Sequence, residues 1–257
     1  MTEVLSRRNL LKVAGAAGAA AVAQPGISEP QHHHGVPSAP FAEQGNPAAP
    51  TKSDSSNVLF FFHDAEAKFV GAAVERLIPA EPEWPGAEAA GVLNFIDRQL
   101  AGAFGAGARM YLKGPWVPDA PPQQGYQLRF TPSELYRIGI EETRRYTRVT
   151  FGGREFWEIG AAAMDDVLGK LESGAIDLPS LPAPVFFETL LANTIEGYFA
   201  DPAYGGNRDM VSWRMVGFPG AYAQYPDLVD AYNFHYMRPP ISMANHDARH
   251  NHIRGHR

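Results

Sequence analysis

Apolar positions recur through the middle of this chain at helical three-and-four spacing, interrupted by Pro- and Gly-rich breaks. Phe69, Ala72, Ala73, Leu77 and Ile78 predict a first helix, capped by Asp64 and stopped by Pro79. Val92, Leu93, Phe95, Ile96 and Leu100 form the stripe of a second, ended by Gly102 and Gly105. A third runs from Pro132 through Leu135, Ile138, Tyr146 and Val149. A fourth spans about Glu155–Leu171, with Phe156, Ile159, Ala163, Val167, Leu168 and Leu171 on one side and Gly174 as its stop. A fifth begins at Pro184, carries Phe186, Phe187, Leu190, Leu191 and Ile195, and ends at Pro202. Shorter helices are expected near Met210–Val216 and Leu228–His235. No segment alternates with a period of two between hairpin turns. The fold class is therefore all-α, an irregular helical domain with long Pro/Gly-rich loops, preceded by a disordered linker.

Local chemistry sharpens one boundary. In Thr131-Pro132-Ser133-Glu134 the threonine accepts from the amide three residues on, and the glutamate reaches back to the threonine amide. Proline at the first helical position completes this start signal. The loop before it is rich in aromatics (Tyr111, Trp116, Tyr126, Phe130), which predicts packing rather than free excursion.

The N-terminal quarter follows different rules. Ser6-Arg7-Arg8-Asn9-Leu10-Leu11-Lys12 leads into a weakly apolar Ala/Gly/Val run, the pattern of a twin-arginine export signal, with Arg7 and Arg8 as its recognition pair. The run is shorter than the ~20 residues of a membrane span, and Ala21-Val22-Ala23 offers a small-x-small cleavage site. Residues 24–57 contain six Pro, three Gly and five Ser and almost no large apolar residue, so they read as a linker that cannot offset its chain entropy. The reading is residues 1–23 signal, 24–57 linker, 58–235 helical domain and 236–257 basic, His-rich tail, with a periplasmic destination.

Composition narrows the chemistry. With no cysteine, the chain holds no disulfide, thiolate metal site, iron–sulfur cluster or thioether-linked haem. Its net charge of −6 argues against nucleic acid as a partner. Residues 58–235 carry 14 Lys/Arg against 23 Asp/Glu, whereas 236–257 carry four Arg and four His against Asp247. Neither a phosphate loop nor a strand–G-x-G-x-x-G–helix unit is present. Gly102–Gly107 is glycine-rich but follows a helix. The pairs Glu141-Glu142, Asp165-Asp166 and Glu155 with Glu158 read as solvated helix faces before they read as acid–base catalysts. His32-His33-His34 sits in the linker. His246 and His250 would chelate a metal on a helix, but Pro239-Pro240 and Gly255 disfavour one, and a surface-contacting tail is the competing reading. No catalytic, cofactor-binding or metal residue is assigned.

The segment Phe199 to Gly220 is neither plain core nor plain loop. Gly205-Gly206-Asn207 permits positive φ. Asn207 or Asp209 suits the cap of a short helix holding Trp213. Tyr204, Trp213 and Phe218 with Arg208 and Arg214 are the residue types of interface anchors. A tightly packed structural turn is the alternative. The candidate partner interface is Tyr204, Asn207, Arg208, Asp209, Trp213 and Phe218.

Several strings resemble the gluconate 2-dehydrogenase subunit 3 family, over about residues 58–225. They are Val74-Glu75-Arg76-Leu77-Ile78-Pro79, Ala90-Gly91-Val92 through Leu100, Gln124-Gly125-Tyr126 before Thr131-Pro132, and most specifically Phe186-Phe187 through Thr194–Pro202 into Tyr204-Gly205-Gly206-Asn207-Arg208-Asp209 and Trp213–Gly220. The resemblance implies a non-catalytic small subunit of a membrane-bound sugar or sugar-acid dehydrogenase. FAD would sit on a flavoprotein large subunit and haem c on a c-type cytochrome subunit. The small subunit would engage the twin-arginine translocase and escort the folded flavoprotein to the periplasm. Two other readings stand beside it: a free-standing periplasmic metal-dependent enzyme, and an assembly or binding module without a dehydrogenase partner.

Overall fold

The fold is arranged around the helix Ala183–Phe199, which touches all five other α-helices among the described residues. The structure is a computed structural model that describes residues 58–110, 112–117, 120–221, 230 and 239–245, all within the unit Lys52–Arg257. In chain order the helices are α1 (Asp64–Leu77), α2 (Val92–Ala101), α3 (Pro132–Thr150), α4 (Ala161–Ser173), α5 (Ala183–Phe199) and α6 (Val211–Val216). No strand occurs among the described residues, only an isolated bridge between Gly220 and Ile241. The all-α expectation holds. The export signal, the linker and most of the basic tail and of the Leu228–His235 segment lie outside the described residues.

The apolar residues of α5 extend round much of its surface, which suits a helix with neighbours on several sides. Phe186 stacks 6.4 Å from Phe69 of α1 and meets Tyr136 of α3 edge-on at 5.9 Å. Phe69 in turn lies 4.7 Å from Phe156. Asn193, buried in α5, donates to the Tyr136 hydroxyl at 2.9 Å, satisfying both polar groups inside the core. Burial pushes the Tyr136 pKa well up, so the phenol stays neutral. Glycine sets the closest approaches. A Cβ at Gly139 would clash with the Phe186 ring, and one at Gly197 would fall 2.8 Å from Phe95 of α2.

Buried Asp97 of α2 ties down the chain entering the body. Its carboxylate accepts the successive amides of Phe60 (2.7 Å), Phe61 (3.0 Å) and Phe62 (2.9 Å), and the residue is 1% exposed. Arg137 of α3 secures the same segment, donating to the Phe61 carbonyl, pairing with Glu66 and lying 4.2 Å from the centre of the Phe61 ring.

The helix boundaries follow their local signals, with two corrections. Thr131 and Glu134 close the expected capping box (Thr131 N to Glu134 Oε2 2.8 Å, Glu134 N to Thr131 Oγ1 3.3 Å). Asp64 is the first residue of α1 rather than its cap. His63 holds the cap position, and its amide donates to Glu66 at 2.9 Å. The stretch Glu155–Leu171 is two elements: a single turn at Phe156–Glu158, then α4. Gly160 at φ +85° breaks the run, while the apolar period carries on across the break. Gly174 ends α4 in the left-handed conformation, as expected.

Candidate partner-binding site

The Asp201–Gly220 segment leaves the end of α5 and folds back over α2. Its conformation begins with glycines that no other residue replaces without a shift. A Cβ on Gly206 would fall 2.1 Å from the Gly197 carbonyl oxygen, and Gly205 adopts φ +102° beside Arg98. The Arg208 amide then donates to the Ala90 carbonyl at 2.8 Å, and its guanidinium reaches toward the Ala89 carbonyl at 3.4 Å.

Three of the next four residues are left-handed without being glycine: Asn207 (φ 45°), Asp209 (φ 56°) and Met210 (φ 54°). Asn and Asp tolerate this region, whereas an unbranched apolar residue such as Met210 has no compensating local hydrogen bond. The turn persists because Asn207 over-determines it. Asn207 is 0% exposed, donates from Nδ2 to the Ala200 carbonyl at 2.9 Å, and accepts the Ser212 amide at Oδ1 at 3.0 Å. The N-cap position of α6 is held by Met210, neither Asn207 nor Asp209 as expected, but the Asn207 side chain still satisfies the Ser212 amide in the helix's first turn. The Ser212 hydroxyl is buried and has no hydrogen-bond partner among the described residues.

Trp213 is 7% exposed, its indole donating to the Phe199 carbonyl at 2.9 Å and its ring meeting Phe218 edge-on at 5.1 Å. Tyr204 and Phe218 are 50% and 47% exposed. Of the six candidate residues, then, Asn207 and Trp213 work inside the fold, whereas Tyr204, Phe218 and Asp209 face outward and Arg208 lies between.

Asp201 and the strap 239–245 carry roles the sequence reading did not assign. The Asp201 carboxylate accepts the Ala203 amide (2.9 Å), the Ser242 hydroxyl (2.6 Å) and the Met243 amide (2.8 Å). Further along, the Ala221 amide donates to Ile241, and Ile241 donates back to Pro219. The strap therefore runs from Gly220 to the Pro202–Tyr204 turn, and adds Met243, 49% exposed, to that end. Pro202 marked the end of the helix, but nothing local marked the distant donors to Asp201.

All members of the carboxylate pairs but Glu158 are engaged in ion pairs, and the Glu158 carboxylate accepts the Glu155 amide at 2.9 Å. Glu155 takes Arg144 (2.8 Å) and Arg148 (3.0 Å), and Glu141 takes the same two arginines at 3.0 Å. The Arg144 hydrogen bond, then Arg148, holds the Glu155 pKa below the usual glutamate value against the opposing effect of burial. Asp165 is bidentate with Arg76, and Asp166 meets Lys170 at 2.6 Å. Among the described residues no three His, Asp or Glu side chains converge as a metal ion requires, and no helix is long and apolar enough to cross a membrane. The tail histidines lie outside those residues.

These features define an all-α domain whose most elaborated region is a surface segment held in strained backbone by internal hydrogen bonds. Residues 64–220, more than half of the chain, match the family model for gluconate 2-dehydrogenase subunit 3, and the chain belongs to that family. The family's name denotes a component of a multi-subunit dehydrogenase. No curated protein and no solved structure matches the chain. The match ends at Gly220, the residue on which the strap docks.

Proposed function

We propose that this chain is the non-catalytic small subunit of a membrane-bound, FAD-dependent gluconate 2-dehydrogenase-type complex. The observation that carries the reading is the match to subunit 3 across 64–220. In this reading FAD resides on the flavoprotein large subunit and haem c on a cytochrome subunit, and this chain contributes structure and address. Arg7 and Arg8 present the twin-arginine signal, the linker 24–57 spaces it from the body, and the body holds the folded flavoprotein during export to the periplasm. The outward-facing side chains of the 201–220 segment, Tyr204 and Phe218 first, make the contact. Asn207 and Trp213 keep that segment in shape.

The test is co-expression with a flavoprotein large subunit of such a complex from the same genome, followed by cell fractionation. Changing Arg7→Lys and Arg8→Lys together should strand both chains in the cytoplasm. Unaltered export of the flavoprotein overturns the escort role. Flavin bound tightly by this chain alone, or gluconate oxidation by it alone, overturns the non-catalytic role.

A further inference from the structure

The arginines of α1 and α3 all have carboxylate partners: Arg76 with Asp165, Arg137 with Glu66, Arg144 and Arg148 with Glu141 and Glu155, and Arg145 with Glu142. Arg98 and Arg208 break this pattern. Among the described residues neither lies within ion-pair distance of a carboxylate. Each guanidinium stands beside one of two residues that meet, Arg98 beside Gly205 and Arg208 beside Gly91, where the Gly205 carbonyl packs on Gly91. A Cβ at Gly205 would lie 3.5 Å from Arg98 Cζ, and one at Gly91 would lie 3.9 Å from Arg208 Cζ and 2.9 Å from the Gly205 oxygen. Both arginines are half-buried, and half-exposed Tyr204 is the next residue along from Gly205.

Resting on the subunit reading above, we infer that Arg98 and Arg208 together receive a carboxylate of the flavoprotein partner, beside an apolar contact made by Tyr204. The body is acidic, with 23 Asp/Glu against 14 Lys/Arg over 58–235, so an acidic partner surface is repelled by most of it. A cation pair with no carboxylate partner among the described residues reverses that field locally and selects the orientation of approach. Guanidinium offers paired N–H donors that match a carboxylate, and its partial burial strengthens the pairing over that of a fully solvated ion pair. A small free anion would satisfy the charges but leave Tyr204 uncovered. A protein segment carrying Asp or Glu next to an apolar side chain satisfies both.

The experiment measures the affinity of the full-length chain for the purified flavoprotein at about 0.05 M and about 0.5 M sodium chloride. Wild-type affinity should fall as salt rises. R98E/R208E should weaken binding at low salt by about tenfold or more and flatten the salt dependence, while R129E/R154E, changed at two exposed arginines elsewhere, should bind like wild type. R98Q/R208Q should fall between, and it carries the test if the charge reversal costs helical circular dichroism. Wild-type affinity with wild-type salt dependence in the altered pair overturns this inference alone. Failure of the wild-type chain to bind the flavoprotein overturns it together with the subunit reading.

Discussion

The Asp201 carboxylate accepts the Ser242 hydroxyl at 2.6 Å and so joins the family-matched segment to residues beyond its end. The same carboxylate also takes the Ala203 and Met243 amides, so its loss strands the buried Ser242 hydroxyl and two part-buried amides. Asp201→Ala should cost about 2 kcal/mol in urea unfolding. Hydrogen exchange should quicken at the Met243, Ile241 and Ala221 amides before it quickens in the helices. Unchanged protection at those amides would show that the strap is held by other contacts.

Tyr204 and Trp213 should separate binding from folding. Trp213 is buried and hydrogen-bonded, so Trp213→Ala should destabilise the fold by about 3 kcal/mol or more. Tyr204 and Phe218 are half-exposed, and the internal contact of the Phe218 ring is its edge-on meeting with Trp213. Tyr204→Ala and Phe218→Ala should leave the thermal midpoint within a few degrees of wild type, yet cut flavoprotein co-purification by about tenfold. Co-purification at wild-type yield would remove these side chains from the interface.

Two glycines should respond to alanine with opposite signs. Gly206→Ala places a methyl 2.1 Å from the Gly197 oxygen, a clash with backbone that cannot rotate away, and should destabilise by about 2 kcal/mol or more. Gly169 lies inside α4 with nothing within 4 Å of a new Cβ, so Gly169→Ala should stabilise by about 0.5–1 kcal/mol. Denaturant midpoints of the two variants check both.

Acid should loosen the joint between α3 and the Phe156–Glu158 turn. The Glu155 pKa is lowered in the fold, first by Arg144, so its ionised form is favoured there over the unfolded chain. That contribution is complete above the ordinary glutamate pKa and is lost as pH falls through that value and the lower folded one. Glu134, lowered by the Thr131 amide and hydroxyl, acts in the same direction. Thermal midpoints followed from about pH 6 to about pH 3 should drop, and Arg144→Ala should make the acid limb shallower. An identical slope in Arg144→Ala would remove Glu155 as a contributor.

The sequence displayed features whose causes lie within a few residues. The Thr131–Glu134 box, the left-handed stop at Gly174 and the outline of α2 are of that kind. The split at Gly160 was hidden because Phe156 and Ile159 stay buried on both accounts, so the apolar pattern is the same for one helix or two. The segment 201–220 stood out for its glycines, aromatics and arginines, but the division between inward Asn207 and Trp213 and outward Tyr204 and Phe218 depends on α5 carbonyls that composition does not reveal. Asp97 and Asp201 were the least legible. Their donors lie about 35 and 40 residues away in sequence, and no local pattern records such a pairing.

Asp97 also decides where a pull on the chain entering the body is felt. Tension arriving along the chain from the N-terminus meets three amide–carboxylate bonds at Phe60, Phe61 and Phe62 before it reaches α1. The load therefore passes sideways into the middle of α2 instead of peeling the first helix from its end. A body pulled from that side is gripped at a mooring within its own interior.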